Sequence, residues 1–188
     1  MISRNINSLT LAKYLISQGV PKGGNVVDAT AGRGRDTRFL AEHVGPMGKV
    51  WAFDIQAAAL QDTQNLLNES GLANRVNLIH AGHERMGEFV AEPVDGIMFN
   101  LGYLPKGDKE LITTPTTTMQ GIESGLKLLK PAGLMTLVIY TGHPGGQAEA
   151  DAVERCVEGL SQACFNVIKF TYPNRDRTAP YLVAIHKR

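Results

Sequence analysis

Short, continuous apolar runs alternate along this chain with longer stretches in which apolar positions recur every three or four residues. The runs predict strands buried on both faces: one ending at Asp28, then Lys49 to Phe53, Val76 to Ile79, Val94 to Asn100 and Leu134 to Tyr140. The stretches between them predict helices. The first is capped by Asn7 or Ser8 and reaches about Gly19, with Leu9, Ala12, Leu15 and Ile16 as its apolar stripe. A second follows Gly34 and stops at Gly45-Pro46, and a third runs from Gln56 to Ser70 with Gly71 closing it. A short helix is expected from Glu84 to Glu92. Thr114 as cap and Pro115 at the first helical position open the next, which ends at Lys130 before Pro131-Ala132-Gly133. The last covers Gln147 to Ala163.

Two closing runs, Asn166 to Tyr172 and Tyr181 to His186, have no helical stretch between them and read as a hairpin. Strands alternating with helices imply an α/β fold, a doubly wound and mostly parallel sheet of seven strands. The C-terminal hairpin adds antiparallel pairing at one edge, and helices cover both faces. Residues 1–188 read as one domain, long enough to bury a proper core.

Composition narrows the classes without naming one. Hydrophobic residues make up 43% and charged residues 20%, ordinary values for a globular chain, and the net charge is +1. Bulk charge therefore does not announce a nucleic-acid binder, and any such contact must come from a local patch. Arg33, Arg35, Lys106, Lys109, Arg175 and Arg177, with Tyr103 and Tyr181 for stacking, are the candidates. No apolar run has membrane-spanning length and the first residues lack a signal-peptide core, so a cytoplasmic protein is expected. Cys156 and Cys164 would stand about 12 Å apart if both were helical, so reduced thiols are expected. The histidines show no metal-ligand spacing, and no metal is expected.

The chemistry gathers at the ends of the predicted strands, where open parallel sheets bind their ligands. Asp28-Ala29-Thr30-Ala31-Gly32-Arg33-Gly34-Arg35-Asp36 turns from the first strand into a helix. Its glycines let backbone N–H groups approach a ligand, and the helix start favours negative charge. Asp54, 22 residues after Gly32, ends the second strand where a carboxylate can accept both hydroxyls of a ribose. Dinucleotides and S-adenosylmethionine share that layout. The dinucleotide fingerprint wants a third glycine where Thr37 stands, and Asp28 suits a cationic amino-acid moiety better than a pyrophosphate, which favours S-adenosylmethionine. Asn100-Leu101-Gly102-Tyr103-Leu104-Pro105 offers an amide oxygen and carbonyls to orient an amine, with Tyr103 to stack on a base. His143, in Gly142-His143-Pro144-Gly145-Gly146, is either a substrate contact or base, or an exposed loop residue.

Taken together, Val27 to Thr37, Ala52-Phe53-Asp54-Ile55-Gln56, Asn100 to Pro105 and Thr141 to Gly146 resemble the small class I methyltransferases long labelled rRNA methylases and assigned as MnmM-type tRNA wobble-uridine methyltransferases. The resemblance covers essentially the whole chain. Arg33 and Arg35 stand where relatives carry an Asn-Gly-His wording, and Leu101 and Gly102 replace the prolines of the Asn-Pro-Pro-Tyr motif of amino-methyltransferases. It implies a Rossmann-like fold and methylation of the amine of 5-aminomethyl-(2-thio)uridine in a tRNA anticodon stem-loop. It also implies S-adenosylmethionine as cofactor and S-adenosylhomocysteine as its product. Asp28, Ala29, Thr30, Gly32, Gly34, Asp36, Asp54, Ile55, Gln56, His83, Asn100 and Leu101 would surround the cofactor. Asn100, Tyr103 and His143 would act in catalysis, and Tyr103, Lys106, His143, Asn174, Arg175 and Tyr181 would meet the substrate. Methylation of rRNA or a small amine, an NAD-binding oxidoreductase and a non-catalytic RNA-binding relative are the alternatives. Monomer and homodimer both stay open.

Overall fold

A computed structural model describes residues 6–102, 113–176 and 178–188 of the chain. The first helix, α1 (Ser8–Gly19), is capped by Asn7, whose side chain accepts the Thr10 N–H. Then come β1 (Asn25–Asp28), α2 (Arg35–Val44), β2 (Lys49–Asp54), α3 (Ala57–Glu69) and β3 (Val76–His80). A 3₁₀ turn (His83–Arg85) and α4 (Met86–Phe89) lead to β4 (Val94–Asn100). After α5 (Pro115–Leu128) and β5 (Leu129–Ile139) the chain closes with α6 (Gly146–Glu158), β6 (Phe165–Phe170) and β7 (Tyr181–Lys187).

The seven strands form one sheet in the order β3-β2-β1-β4-β5-β7-β6. All neighbours are parallel except β7, which runs against both β5 and β6. Successive side chains on a strand point to opposite faces, and here both faces are covered. Val26, Val50, Met98 and Val138 pack on one side with Ala12, Ile16, Leu40 and Leu67 of α1, α2 and α3. Val27, Trp51, Ile97, Phe99 and Leu137 pack on the other with Val90, Ile122 and Val153. This double burial explains why the strands read as unbroken apolar runs.

Three element boundaries differ from those the sequence predicts. The helix expected over 84–92 is a 3₁₀ turn and a single α-helical turn, because Val90 turns extended (φ −104°, ψ 98°) and is buried in the core ahead of β4. The helix after Thr114 stops at Leu128 rather than Lys130, since Leu129 already pairs with Val94 in the sheet. The ladder resumes at Gly96 with Leu134, so Pro131-Ala132-Gly133 is an irregularity within β5, with Ala132 at φ 61°. The last helix ends at Glu158, and Cys164 lies beyond it, exposed; both cysteines are free.

β1 lies between β2 and β4, so the chain leaves it on one side and returns on the other. That reversal opens a crevice at the strand ends.

Candidate active site

At the C-terminal ends of the strands the crevice widens into a cavity of about 800 Å³. This lies within the 300 to 1,000 Å³ or so typical of small-ligand sites. Four loops wall it: Ala29 to Asp36 after β1, Asp54 to Gln56 after β2, Ala81 to Glu84 after β3, and Asn100 to Gly102 after β4. Thr113, Thr114, Thr117 and Tyr140 complete it. Tyr140, half-buried at the end of β5, has its phenol pushed up by burial and then by the charge of Asp36.

The first loop is held from below. Asp28 is 1% exposed and lies beneath the cavity, where it accepts the Thr30 N–H at 3.1 Å and the Thr37 hydroxyl at 2.6 Å. Burial, reinforced by Asp36, pushes its carboxyl up to about 7. Asp28 thus braces the loop, and the acid that lines the cavity from this segment is Asp36. The Thr30 hydroxyl in turn accepts the Asn100 backbone N–H at 2.8 Å, tying the ends of β1 and β4 together.

Gly34 begins α2 in the left-handed region (φ 78°), and a Cβ there would meet Thr63 of α3 at 2.8 Å. Its role is close helix packing rather than cavity lining. Thr63 also donates to the Gly32 carbonyl at 2.9 Å, and the Gly32 N–H donates to Asp54 at 2.8 Å. The other Asp54 oxygen accepts the Gln56 N–H at 2.8 Å. Two backbone amides therefore fix the carboxylate while it keeps unused lone pairs.

His83 is buried against Phe99, ring centroids 5.3 Å apart and edge-on, with Nδ1 3.2 Å from the Ala29 carbonyl. Burial depresses its basicity, so the neutral ring is favoured. It fits only because α5 carries Gly121 there, where a Cβ would stand 2.6 Å from the ring. Its other side turns to α5, where the Thr117 backbone also supports the ring. The Asn100 side-chain oxygen is buried without a hydrogen-bond partner among the described residues, and its amide nitrogen lies 3.3 Å from Asp36.

Beyond Leu101, the Gly102 N–H donates to the Thr113 hydroxyl at 3.0 Å, and the Thr113 N–H returns to the Gly102 carbonyl at 3.2 Å. The Thr113 hydroxyl also donates to Glu149, a 1% exposed carboxylate at the start of α6 that Thr118 donates to as well. Gly102 and Thr113 are thus pinned to each other at the edge of the cavity. Nothing in the sequence pattern singled out Glu149, since an acid in a helix's first turn is ordinary.

The substrate candidates divide. His143 lies against Gly102, where a Cβ would stand 3.5 Å from its Nε2, with Nδ1 3.0 Å from the Pro144 carbonyl. Arg33 and Arg35 line the cavity and also a neighbouring groove with Lys13, Arg38 and Phe39. Tyr181 does not offer a stacking face: it is buried in the core on β7, with Lys169 4.8 Å from its ring. Its pairing with β5 at Ile139 turns the ring inward. Arg175 folds back onto Tyr172 at 4.3 Å, and it and Asn174 are exposed outside the cavity wall. Tyr103, Lys106, Lys109 and Arg177 lie outside the described residues. Among the described residues, no group of three or more potential ligand side chains could hold a metal ion, and no helix is long and apolar enough to cross a membrane.

Comparison with known proteins places this geometry. A family model described as "Putative rRNA methylase" matches residues 50–186. The chain belongs to this family. It is 40% identical over 95% of its length to the chloroplastic tRNA (mnm(5)s(2)U34)-methyltransferase of Arabidopsis thaliana, of which it spans 68%. A Clostridium thermocellum structure described as a "putative rRNA-methylase" superposes with a TM-score of 0.96 at 40% identity, covering 99% of this chain and 100% of that one. A Streptococcus mutans protein described as "a putative methyltransferase", solved in complex with S-adenosylhomocysteine, follows at a TM-score of 0.88 and 36% identity, each chain fully covered. The Rossmann-like fold with its antiparallel C-terminal hairpin is thus that of the family.

Proposed function

We propose that this family member transfers a methyl group from S-adenosylmethionine to the primary amine of 5-aminomethyl-(2-thio)uridine at the tRNA wobble position, giving 5-methylaminomethyl-(2-thio)uridine. The observation that carries the reading is the buried Asn100 side-chain oxygen, without a partner among the described residues, at the end of β4 beside Asp36. A buried acceptor left unmet costs about 1–3 kcal/mol, so it calls for a donor from a ligand. An amine supplies one. The name of the Arabidopsis thaliana relative supports the same substrate.

The residues present suit the cofactor. Asp54 has lone pairs left for two hydroxyls, the neutral His83 ring lines the cavity where a heterocycle would lie, and the Gly32 turn brings backbone close to a ligand. S-adenosylmethionine, when bound, supplies a methyl group activated by a positive sulfonium. The chain's own work is to receive a neutral amine, because an alkylammonium has no lone pair to attack with. Leu101, Phe53 and Ala29 give the cavity apolar lining, and the Lys13 ammonium 2.7 Å from Asp36 offsets that acid's pull toward the charged form. Asn100 then accepts one N–H and aims the lone pair, and such orientation can contribute up to roughly 7–11 kcal/mol in ideal cases. In this reading His143, beside Gly102, meets the nucleoside, and the cavity-lining Arg33 and Arg35 meet backbone phosphates of an anticodon stem-loop. We read residues 1–188 as one methyltransferase domain acting in the cytoplasm.

Incubating purified protein with unmodified tRNA, 5-aminomethyl-2-thiouridine tRNA or rRNA and labelled S-adenosylmethionine, followed by nucleoside mass spectrometry, tests this. Label in 5-methylaminomethyl-(2-thio)uridine is expected. Label in an rRNA nucleoside instead would assign the second substrate class.

A further inference from the structure

A carboxamide has two ends of nearly the same shape and opposite chemistry, one accepting and one donating. The Asn100 oxygen serves an amine only if it faces the cavity, and the backbone alone does not decide which end does. Its backbone N–H is held by the Thr30 hydroxyl at 2.8 Å, which fixes the residue but not its amide. The deciding neighbour is Asp36. One Asp36 oxygen lies 3.3 Å from the Asn100 amide nitrogen, and the other lies 2.7 Å from Lys13 Nζ. Lys13 reaches it from α1, with its ammonium 5.2 Å from the Phe39 ring. Carboxylate oxygens accept and an ammonium only donates, so the chain of partners runs in one direction.

We infer that Asp36, seated by Lys13, is the positioning residue that turns the Asn100 amide oxygen toward the methyl acceptor. The inference rests on the amine-methylation reading and adds to it a reason for an acid and a lysine outside the reacting atoms. It has an uncommon consequence. In Asp36→Asn the new amide must offer its oxygen to Lys13, because the ammonium has no acceptor. Its nitrogen then faces Asn100, which must rotate its own oxygen toward residue 36 and its NH₂ into the cavity. The variant thus inverts Asn100 rather than merely loosening it. Removing the ammonium as well, in Asp36→Asn with Lys13→Met, frees residue 36 to present its oxygen to Asn100 again.

The test measures turnover on the amine-bearing tRNA and S-adenosylhomocysteine affinity for the native protein, D36N, K13M and the double variant. D36N should lower kcat about 100-fold, the scale of a misplaced reactant, with cofactor-product affinity within about threefold. The double variant should recover at least about tenfold over D36N, a coupling that independent structural damage does not give. A D36N enzyme within threefold of native, a double variant no better than D36N, or a D36N chain that does not fold would each overturn the inference. A second readout needs no methyl transfer: in ¹⁵N-asparagine-labelled protein the Asn100 side-chain amide, assigned through Asn100→Asp, should show slowed hydrogen exchange that D36N changes. An unchanged signal contradicts the inference. Native protein inactive on the amine, with that signal behaving as expected, removes the methylation reading instead.

Discussion

The two rims of the sheet are built to opposite plans. At the N-terminal ends of the strands the polar groups are closed off against one another. Asp95 accepts the Asn25 N–H at 2.8 Å and the Lys130 ammonium at 2.9 Å, Lys49 pairs with Glu92 at 2.9 Å, and Lys187 donates to the Leu126 and Leu129 carbonyls. At the C-terminal ends the carboxyls of Asp28 and Asp36 crowd together, and the buried Asn100 side-chain oxygen has no partner among the described residues. Folding alone would favour the first arrangement at both ends, because unmet buried groups cost stability. The second persists where a ligand completes it.

The sharpest way to break the contrast is Asn100→Ala, which should cut turnover about 100- to 1,000-fold while S-adenosylhomocysteine binds within about threefold, read by steady-state kinetics and titration. Asp28 comes next. Its carboxyl stands at about 7 against an ordinary 3.8, so between those values the folded chain keeps a proton that the unfolded chain has released. The native state therefore loses stability as pH rises through that window and levels off above it. Asp28→Asn removes the slope; relative to it the native protein should weaken by at most about 4 kcal/mol between about pH 4 and pH 8 in urea unfolding.

Gly121→Ala is smaller and more local. Its Cβ would stand 2.6 Å from the His83 ring, so the ring must move, at a cost of about 1–3 kcal/mol in stability and about tenfold in cofactor-product affinity. At the other rim, Lys130→Met should cost no more than about 1 kcal/mol, since the pair with Asp95 is partly solvated, and should leave turnover unchanged. A turnover loss there comparable to that of Asn100→Ala would erase the distinction between the rims.

Much of this was legible in the sequence because both signals are local. Strands buried on both faces write unbroken apolar runs, and the parallel order puts the end of each run at one rim, so Gly32, Asp54, His83 and Asn100 could be placed together before any contact was seen. The sequence offered both Asp28 and Asp36 to the cofactor when only Asp36 lines the cavity, because eight residues of loop and helix start hide which carboxylate turns inward. Tyr181 looked like a stacking ring because its strand begins beside a loop, but its register with Ile139 turns it into the core. Tyr140 showed only as the end of the fifth run, and Glu149 and Lys13 left no pattern at all. Their roles depend on partners more than 20 residues away, which periodicity does not register.

Calorimetric titration of S-adenosylhomocysteine into native protein and Asp54→Ala tests most directly whether the C-terminal rim is a receptor for an adenosyl cofactor. The native chain should bind one equivalent and Asp54→Ala at least about tenfold more weakly, the loss of a hydrogen-bonded charged group. Equal binding by the two, or none by the native chain, would contradict it.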